Sequence, residues 1–164
     1  MMKTIYLIGF MGSGKSTVGI ALADKLEKTY VDTDQFIVDT HQQQIADIFQ
    51  EFGENTFRNY ETNALKEVST YEVVSTGGGI VEKNENLQTM QKNGLIIYLH
   101  ASFKEIENRL ENDQTRPLWK SDDEEKLKLY LRRLSMYEKY ADHIIHTDKK
   151  TVNEIVQEIE NYIN

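Results

Sequence analysis

Nine residues, GFMGSGKST from Gly9 to Thr17, follow directly on the apolar run TIYLI. They match G-x-x-x-x-G-K-[ST], with Gly9, Gly14, Lys15 and Ser16 in the fixed positions. A loop of this kind belongs between the end of a buried strand and the start of a helix, so it predicts the first two elements and their order. The remaining chain keeps the same alternation. After the strand at 4–9, Lys15 to Lys28 carries Val18, Ala21, Leu22 and Leu26 at helical spacing. TYVDT (29–33), EVVST (72–76), LIIYLHA (95–101) and HIIHT (143–147) read as four further strands. IADIFQEFG (45–53) and the segment 54–69 read as helices punctuated by Gly53. Ser102 with Glu105 and Thr151 with Glu154 give capping-box patterns for two more helices, and 125–140 also has helical character. Residues 111–125 have no apolar period and contain the sole proline, which predicts a mobile loop. Such alternation specifies an α/β fold with a parallel sheet covered on both faces. At 164 residues, with no repeat or linker, the chain is expected to form a single domain.

The loop's composition has a chemical reading. Glycines let successive backbone N–H groups curl into a cradle for phosphate oxygens at the positive end of the following helix. Gly12, Ser13, Gly14, Lys15, Ser16 and Thr17 are therefore the candidate nucleotide-binding residues. Lys15 can reach the β- and γ-phosphates, and the Ser16 hydroxyl can ligate Mg²⁺. The plain alternative is a glycine turn, which would not need the lysine and the hydroxyl beside it.

Composition excludes several other classes. The net charge of −8 argues against a nucleic-acid binder, which would present a basic face. No run of eighteen apolar residues is present, so no membrane span is expected, and the N-terminal apolar stretch is too short for a signal peptide. Zero cysteines exclude disulfides and thiolate metal sites and agree with a cytoplasmic protein, expected to act as a monomer. A GTP-dependent switch would carry Asn-Lys-x-Asp and Asp-x-x-Gly, and neither occurs. Strand four ends in Leu99-His100 without an acid, so a metal-side carboxylate must come from elsewhere.

Asp32 and Asp34 flank Thr33 at the end of strand two. An extended chain would project both carboxylates to one side, beside the phosphate loop at the carboxyl ends of the strands. Arg58 and Glu61, three apart on a helix, can pair, and a surface salt bridge is the simple reading. Gly77-Gly78-Gly79 is either a tight turn or a place where backbone approaches a ligand without side chains in the way. Arg109, Arg116, Arg132 and Arg133 gather around the loop at 111–125, which in so acidic a chain suits phosphoryl transfer. The histidines at 41, 100, 143 and 146 have no metal-ligand spacing, and SDDEE (121–125) reads as a solvated lid edge.

GFMGSGKSTVG, VDTD, FRNYE, STGGG, RPL and RRLSMYEKYAD stand in the order and spacing of the shikimate kinases, so nearly the whole chain resembles that family. The resemblance implies transfer of the ATP γ-phosphate to the 3-hydroxyl of shikimate, with Mg²⁺, on the way to chorismate and the aromatic amino acids. It implies a P-loop kinase fold with strand order 2-3-1-4-5, a lid at about 111–125 and a substrate-binding helical region at about 34–61. By the same resemblance Lys15 and Ser16 serve phosphate and Mg²⁺, and Asp32 supports the metal side. Asp34, Arg58, Gly78, Gly79 and Arg133 hold shikimate, the two arginines meeting its carboxylate. Arg116 is the lid arginine beside the transferred group, and Arg109 packs on adenine. Phe49 and Phe57 match apolar walls of the substrate pocket or belong to the core. Arg132 replaces Arg133 if the helix register differs by one, although the four-residue spacing to Tyr137 favours Arg133. Trp119 in the lid and Leu134-Ser135 after the arginines depart from the family pattern. Two other readings share the loop: a related kinase such as a gluconate kinase, and a non-catalytic ATP-binding regulator.

Overall fold

Every link between neighbouring strands of the sheet runs through a helix, and the strands are accordingly all parallel. The computed structural model describes residues 3–111 and 122–164. Strands β1 (Thr4–Ile8), β2 (Tyr30–Asp32), β3 (Val73–Ser75), β4 (Gly94–His100) and β5 (His143–His146) form one sheet in the order β2-β3-β1-β4-β5. Helix α1 (Lys15–Leu26) follows β1; α2 (Thr33–His41), α3 (Ile45–Phe52) and α4 (Glu54–Glu67) lie between β2 and β3. A 3₁₀ turn (Gly78–Glu82) and α5 (Asn84–Asn93) lead from β3 to β4, then α6 (Phe103–Leu110) and α7 (Asp123–Tyr140) precede β5, and α8 (Val152–Ile163) ends the fold. The strand order is the expected one.

Side-chain alternation along β1 builds the two main cores. Ile5 and Leu7 face one way, onto Val18 and Leu22 of α1 and Ile155 and Ile159 of α8. Tyr6 and Ile8 face the other way, into a cluster with Leu65, Leu87, Met90, Ile106 and Tyr137. This is why β1 reads as a continuous apolar run: both of its faces are covered. A third cluster of Ile37, Ile48, Phe57 and Ala64 ties α2, α3 and α4 to one another. Since β1 pairs with β3 on one side and β4 on the other, the chain reverses its winding direction around β1, and the crevice at its carboxyl end lies open to a ligand.

Several expectations are corrected. Strand β2 stops at Asp32, and Thr33 is the buried first residue of α2. Asp32 Oδ1 accepts the backbone N–H groups of Asp34, at 2.9 Å, and Gln35, at 3.2 Å. That cap satisfies helix donors which would otherwise lack partners, and it ends the strand two residues before Asp34. Glu105 does not complete a reciprocal box: Ser102 Oγ accepts from its N–H at 3.3 Å, but its carboxylate turns to Arg109 at 3.0 Å. Thr151 and Glu154 do form the full box. The described end of the acidic run is exposed and opens a helix earlier than the expected start at 125. Asp122 caps α7, and Asp123, Glu124 and Glu125 fill its first turn, where the helix dipole favours them. Helix α5 has no counterpart in the apolar periodicity; only Asn86, Leu87 and Met90 of its ten residues are buried. Arg116, Pro117 and Trp119 lie outside the described residues, as does most of the expected lid.

Candidate active site

Gly14 occupies the junction between the loop and α1 with φ 95°, a left-handed conformation that a side chain would resist, and no side chain caps the helix there. The first-turn N–H groups of α1 are thus left for a ligand. Lys15 is buried and donates to the carbonyls of Gly9, at 2.7 Å, and Phe10, at 3.0 Å, folding back across its own loop. Ser16 Oγ donates to Asp32 Oδ2 at 2.5 Å. Asp32 therefore uses one oxygen to cap α2 and the other to meet the loop. A cleft of about 420 Å³ opens over these groups, lined by Gly12 to Val18, Asp32, Asp34, Gly77, Gly78 and Arg109. Both aspartates do reach the cleft as expected, but a helix N-terminus brings them there, not an extended strand.

Arg109 Nη1 donates to the Gly12 carbonyl at 2.9 Å, which lays the guanidinium along the far side of the phosphate loop. Thr147 and Lys150 line the same end of the cleft from the β5–α8 connection. Lys150 pairs with Glu158 at 2.9 Å, and nothing in its sequence surroundings marked it. The Ser13 hydroxyl is buried with no hydrogen-bond partner among the described residues, at the inner curve of the loop.

The Arg58–Glu61 pair is not at the surface. Arg58 Nη1 and Glu61 Oε1 are 2.6 Å apart, with side chains 9% and 1% exposed, and Glu54 meets Nη2 at 3.1 Å. Burial is the largest influence on Glu61 and pushes its carboxyl up to about 7; Arg58 opposes this and the Asp34 charge adds to it. For Arg58, burial works against the charged form, but Glu61 and Glu54 outweigh it and hold the guanidinium above its usual value. The pair is thus lopsided: the cation has two carboxylates, whereas the anion is deeply buried beside a second anion.

The glycines after β3 make room for this chemistry. A Cβ on Gly79 would overlap the Arg58 guanidinium, and one on Gly77 would stand 2.6 Å from Asp34 Oδ1 and 2.8 Å from Glu61 Oε2. Gly78 packs on the other arginine, with its missing Cβ 3.4 Å from Arg133 Nη1. The close approach is therefore first of all to the protein's own side chains. Of the two adjacent arginines on α7, Arg133 is the buried one, 1% exposed, while Arg132 is 56% exposed. Both donate to Glu82 Oε1, Arg133 Nε at 3.0 Å and Arg132 Nη2 at 2.8 Å. Tyr137 donates to the Gly78 carbonyl at 2.5 Å. Glu82 was missed by sequence reasoning, since a lone glutamate after a glycine run carries no local signal. Phe57 is buried with the Phe49 ring 4.9 Å away, and the Arg58 guanidinium lies 5.4 Å from the Phe57 ring, so both phenylalanines belong to the apolar cluster of α2, α3 and α4. The histidines stack on aromatic neighbours, His41 on Tyr60 and His143 on Tyr162, and His100 meets His146. Among the described residues no cluster of three or more His, Cys, Asp or Glu could hold a metal ion.

A parallel sheet in the order 2-3-1-4-5, with a phosphate loop on its central strand, is the fold of the P-loop kinases. The family model for shikimate kinase matches residues 11–164. A shikimate kinase of Sulfurihydrogenibium sp. (strain YO3AOP1) is 44% identical over 160 residues, covering 96% of each chain. One of Bacillus cereus (strain G9842) is 42% identical over 165 residues, covering 99% of each. The solved structure of the Acinetobacter baumannii shikimate kinase in complex with shikimate superposes with a TM-score of 0.94 at 32% identity, over 99% of this chain and 93% of that one. This chain belongs to the shikimate kinase family.

Proposed function

We propose that the protein transfers the γ-phosphoryl group of ATP to the 3-hydroxyl of shikimate, giving shikimate 3-phosphate and ADP, a step toward chorismate and the aromatic amino acids. One observation carries the acceptor assignment. Two buried guanidiniums, Arg58 and Arg133, pack on the same glycine pair, Gly79 and Gly78, beside Asp34 and one loop away from Lys15. A small carboxylate with several hydroxyls needs this set: arginine forks for its carboxylate, an acid for a hydroxyl, and close backbone.

Lys15 exchanges its two carbonyl partners for phosphate oxygens when ATP enters, because a charged acceptor outbids neutral carbonyls for an ammonium. The N–H groups from Gly12 to Thr17 hold the remaining phosphate oxygens, and Arg109 borders the base. Ser16 Oγ and Asp32 Oδ2 already lie together and are hard oxygen donors, so they fit a Mg²⁺ ion, Ser16 directly and Asp32 in its inner or outer shell. When bound, that ion supplies charge neutralisation at the β- and γ-phosphates. Asp34 accepts the hydrogen bond of the attacking hydroxyl and orients its lone pair toward phosphorus; it can take the proton as the bond forms. Arg116 serves the moving phosphoryl group from the lid at about 111–125, and the helical region 34–61, with its own apolar cluster, carries Asp34 and Arg58. ADP release from ATP and Mg²⁺ should depend on shikimate and not on gluconate. Equal turnover with gluconate would replace the acceptor assignment, and no turnover with either would leave an ATP-binding protein without this activity.

A further inference from the structure

The 3₁₀ turn Gly78–Glu82 begins with the glycine on which Arg133 packs and ends with the carboxylate that holds the same arginine. Helix α7 grips the turn at both ends. Arg133 takes Glu82, and Tyr137, one helical turn later, takes the Gly78 carbonyl. A guanidinium has five N–H donors in one plane, so tying down Nε fixes where the other two nitrogens point. Nη1 lies against Gly78, and Nη2 is fully buried with no partner among the described residues. A buried, unpartnered N–H is costly and rare, and here it shares the outer edge of the guanidinium with Nη1, which lies against Gly78.

Charge decides what that edge can hold. A single carboxylate paired only with Arg133 would cancel its charge and forfeit attraction for an anion. Glu82 Oε1 instead accepts from Arg132 as well, at 2.8 Å from the exposed side. One anion shared between two cations leaves the trio with one net positive charge.

We propose that Glu82 is a positioning residue for acceptor binding: it aims the Arg133 fork at the acceptor's carboxylate, while Arg132 keeps the cluster cationic. This rests on the assignment of Arg133 to that carboxylate. Steady-state kinetics on Glu82→Ala, Glu82→Gln and Arg133→Ala tests both levels. Glu82→Ala should raise the KM for shikimate roughly tenfold, the effect of a lost charge-assisted hydrogen bond. The KM for ATP and kcat should stay within about twofold, since neither reports on Arg133. Glu82→Gln keeps an oxygen that can accept from Nε, so it should restore most of the shikimate KM; a general loss of folding would not give this selective pattern. The proposal is overturned if Glu82→Ala leaves the shikimate KM unchanged while Arg133→Ala raises it. It is equally overturned if Glu82→Ala raises both KM values together, or if Glu82→Gln restores nothing. An unchanged shikimate KM in Arg133→Ala would instead remove the assignment of Arg133, and the role of Glu82 with it.

Discussion

Replacing Arg58 by methionine should destabilise the fold in a strongly pH-dependent way. Methionine keeps much of the volume over Phe57 but leaves Glu61, 1% exposed, between the Asp34 charge, which raises its carboxyl, and Arg133, which lowers it. Breaking a buried pair by deleting one partner costs about 3–5 kcal/mol, because the surviving charge is stranded. Glu61 has an escape in protonation. Even with Arg58 present its carboxyl is pushed from 4.5 up to about 7, which corresponds to about 3 kcal/mol of preference for the neutral form. The sign follows from linkage. A carboxyl whose folded value exceeds its unfolded value contributes stability below the unfolded value and loses it as pH rises through the folded one. Removing Arg58 raises the folded value further, so the penalty relative to the parent protein grows as pH rises above about 7, where Glu61 ionises in the parent. Urea unfolding followed by far-UV circular dichroism should show a loss of about 3–5 kcal/mol at pH 8.5, where the charge is stranded. At pH 5.5 the loss should shrink to about 1–2 kcal/mol, the worth of the hydrogen bond. In a Glu61→Gln background the same Arg58→Met change should lose its pH dependence. Equal destabilisation at both pH values, or a larger one at pH 5.5, would refute the stranded-charge account.

Lys15→Ala should lower kcat by on the order of 10²-fold or more, since among the described residues no other buried cation lines the cleft, and near-normal turnover would remove the nucleotide assignment. Asp34→Asn should reduce kcat much more than ATP affinity; a kcat within about threefold of the parent would end its assignment to the attacking hydroxyl. Gly79→Ala drives a methyl into the Arg58 guanidinium, so shikimate binding measured by calorimetry should weaken while ATP binding is kept. Equal weakening of both ligands would show a general loss of the fold.

Local signals carried far in this chain because the strongest of them are short-range. The phosphate loop is legible because Gly9, Gly14, Lys15 and Ser16 act through backbone conformation and reach of a few residues. The Thr151–Glu154 box was readable for the same reason, as both partners lie within one turn. The Asp32 cap was readable in principle, yet TYVDT (29–33) read as a strand that continued through Thr33. There the helix prevailed because Asp32 satisfies two of its N-terminal donors.

The sequence by itself determined the alternation of strands and helices, the position of the phosphate cradle and, through motif order, the family. Tertiary structure alone decided burial and partnership. Arg58 and Glu61 look like any surface pair three apart on a helix; their burial depends on β3 delivering Gly77 and Gly79 against them from more than fifteen residues away. Arg132 and Arg133 are adjacent and chemically identical in the sequence, and only the packing of α7 against the 3₁₀ turn puts one in the core and the other in water. Glu82 gains its role solely from that packing, fifty residues before the arginines it holds. A charge is read locally, but its dielectric surroundings and its partners are properties of the folded chain.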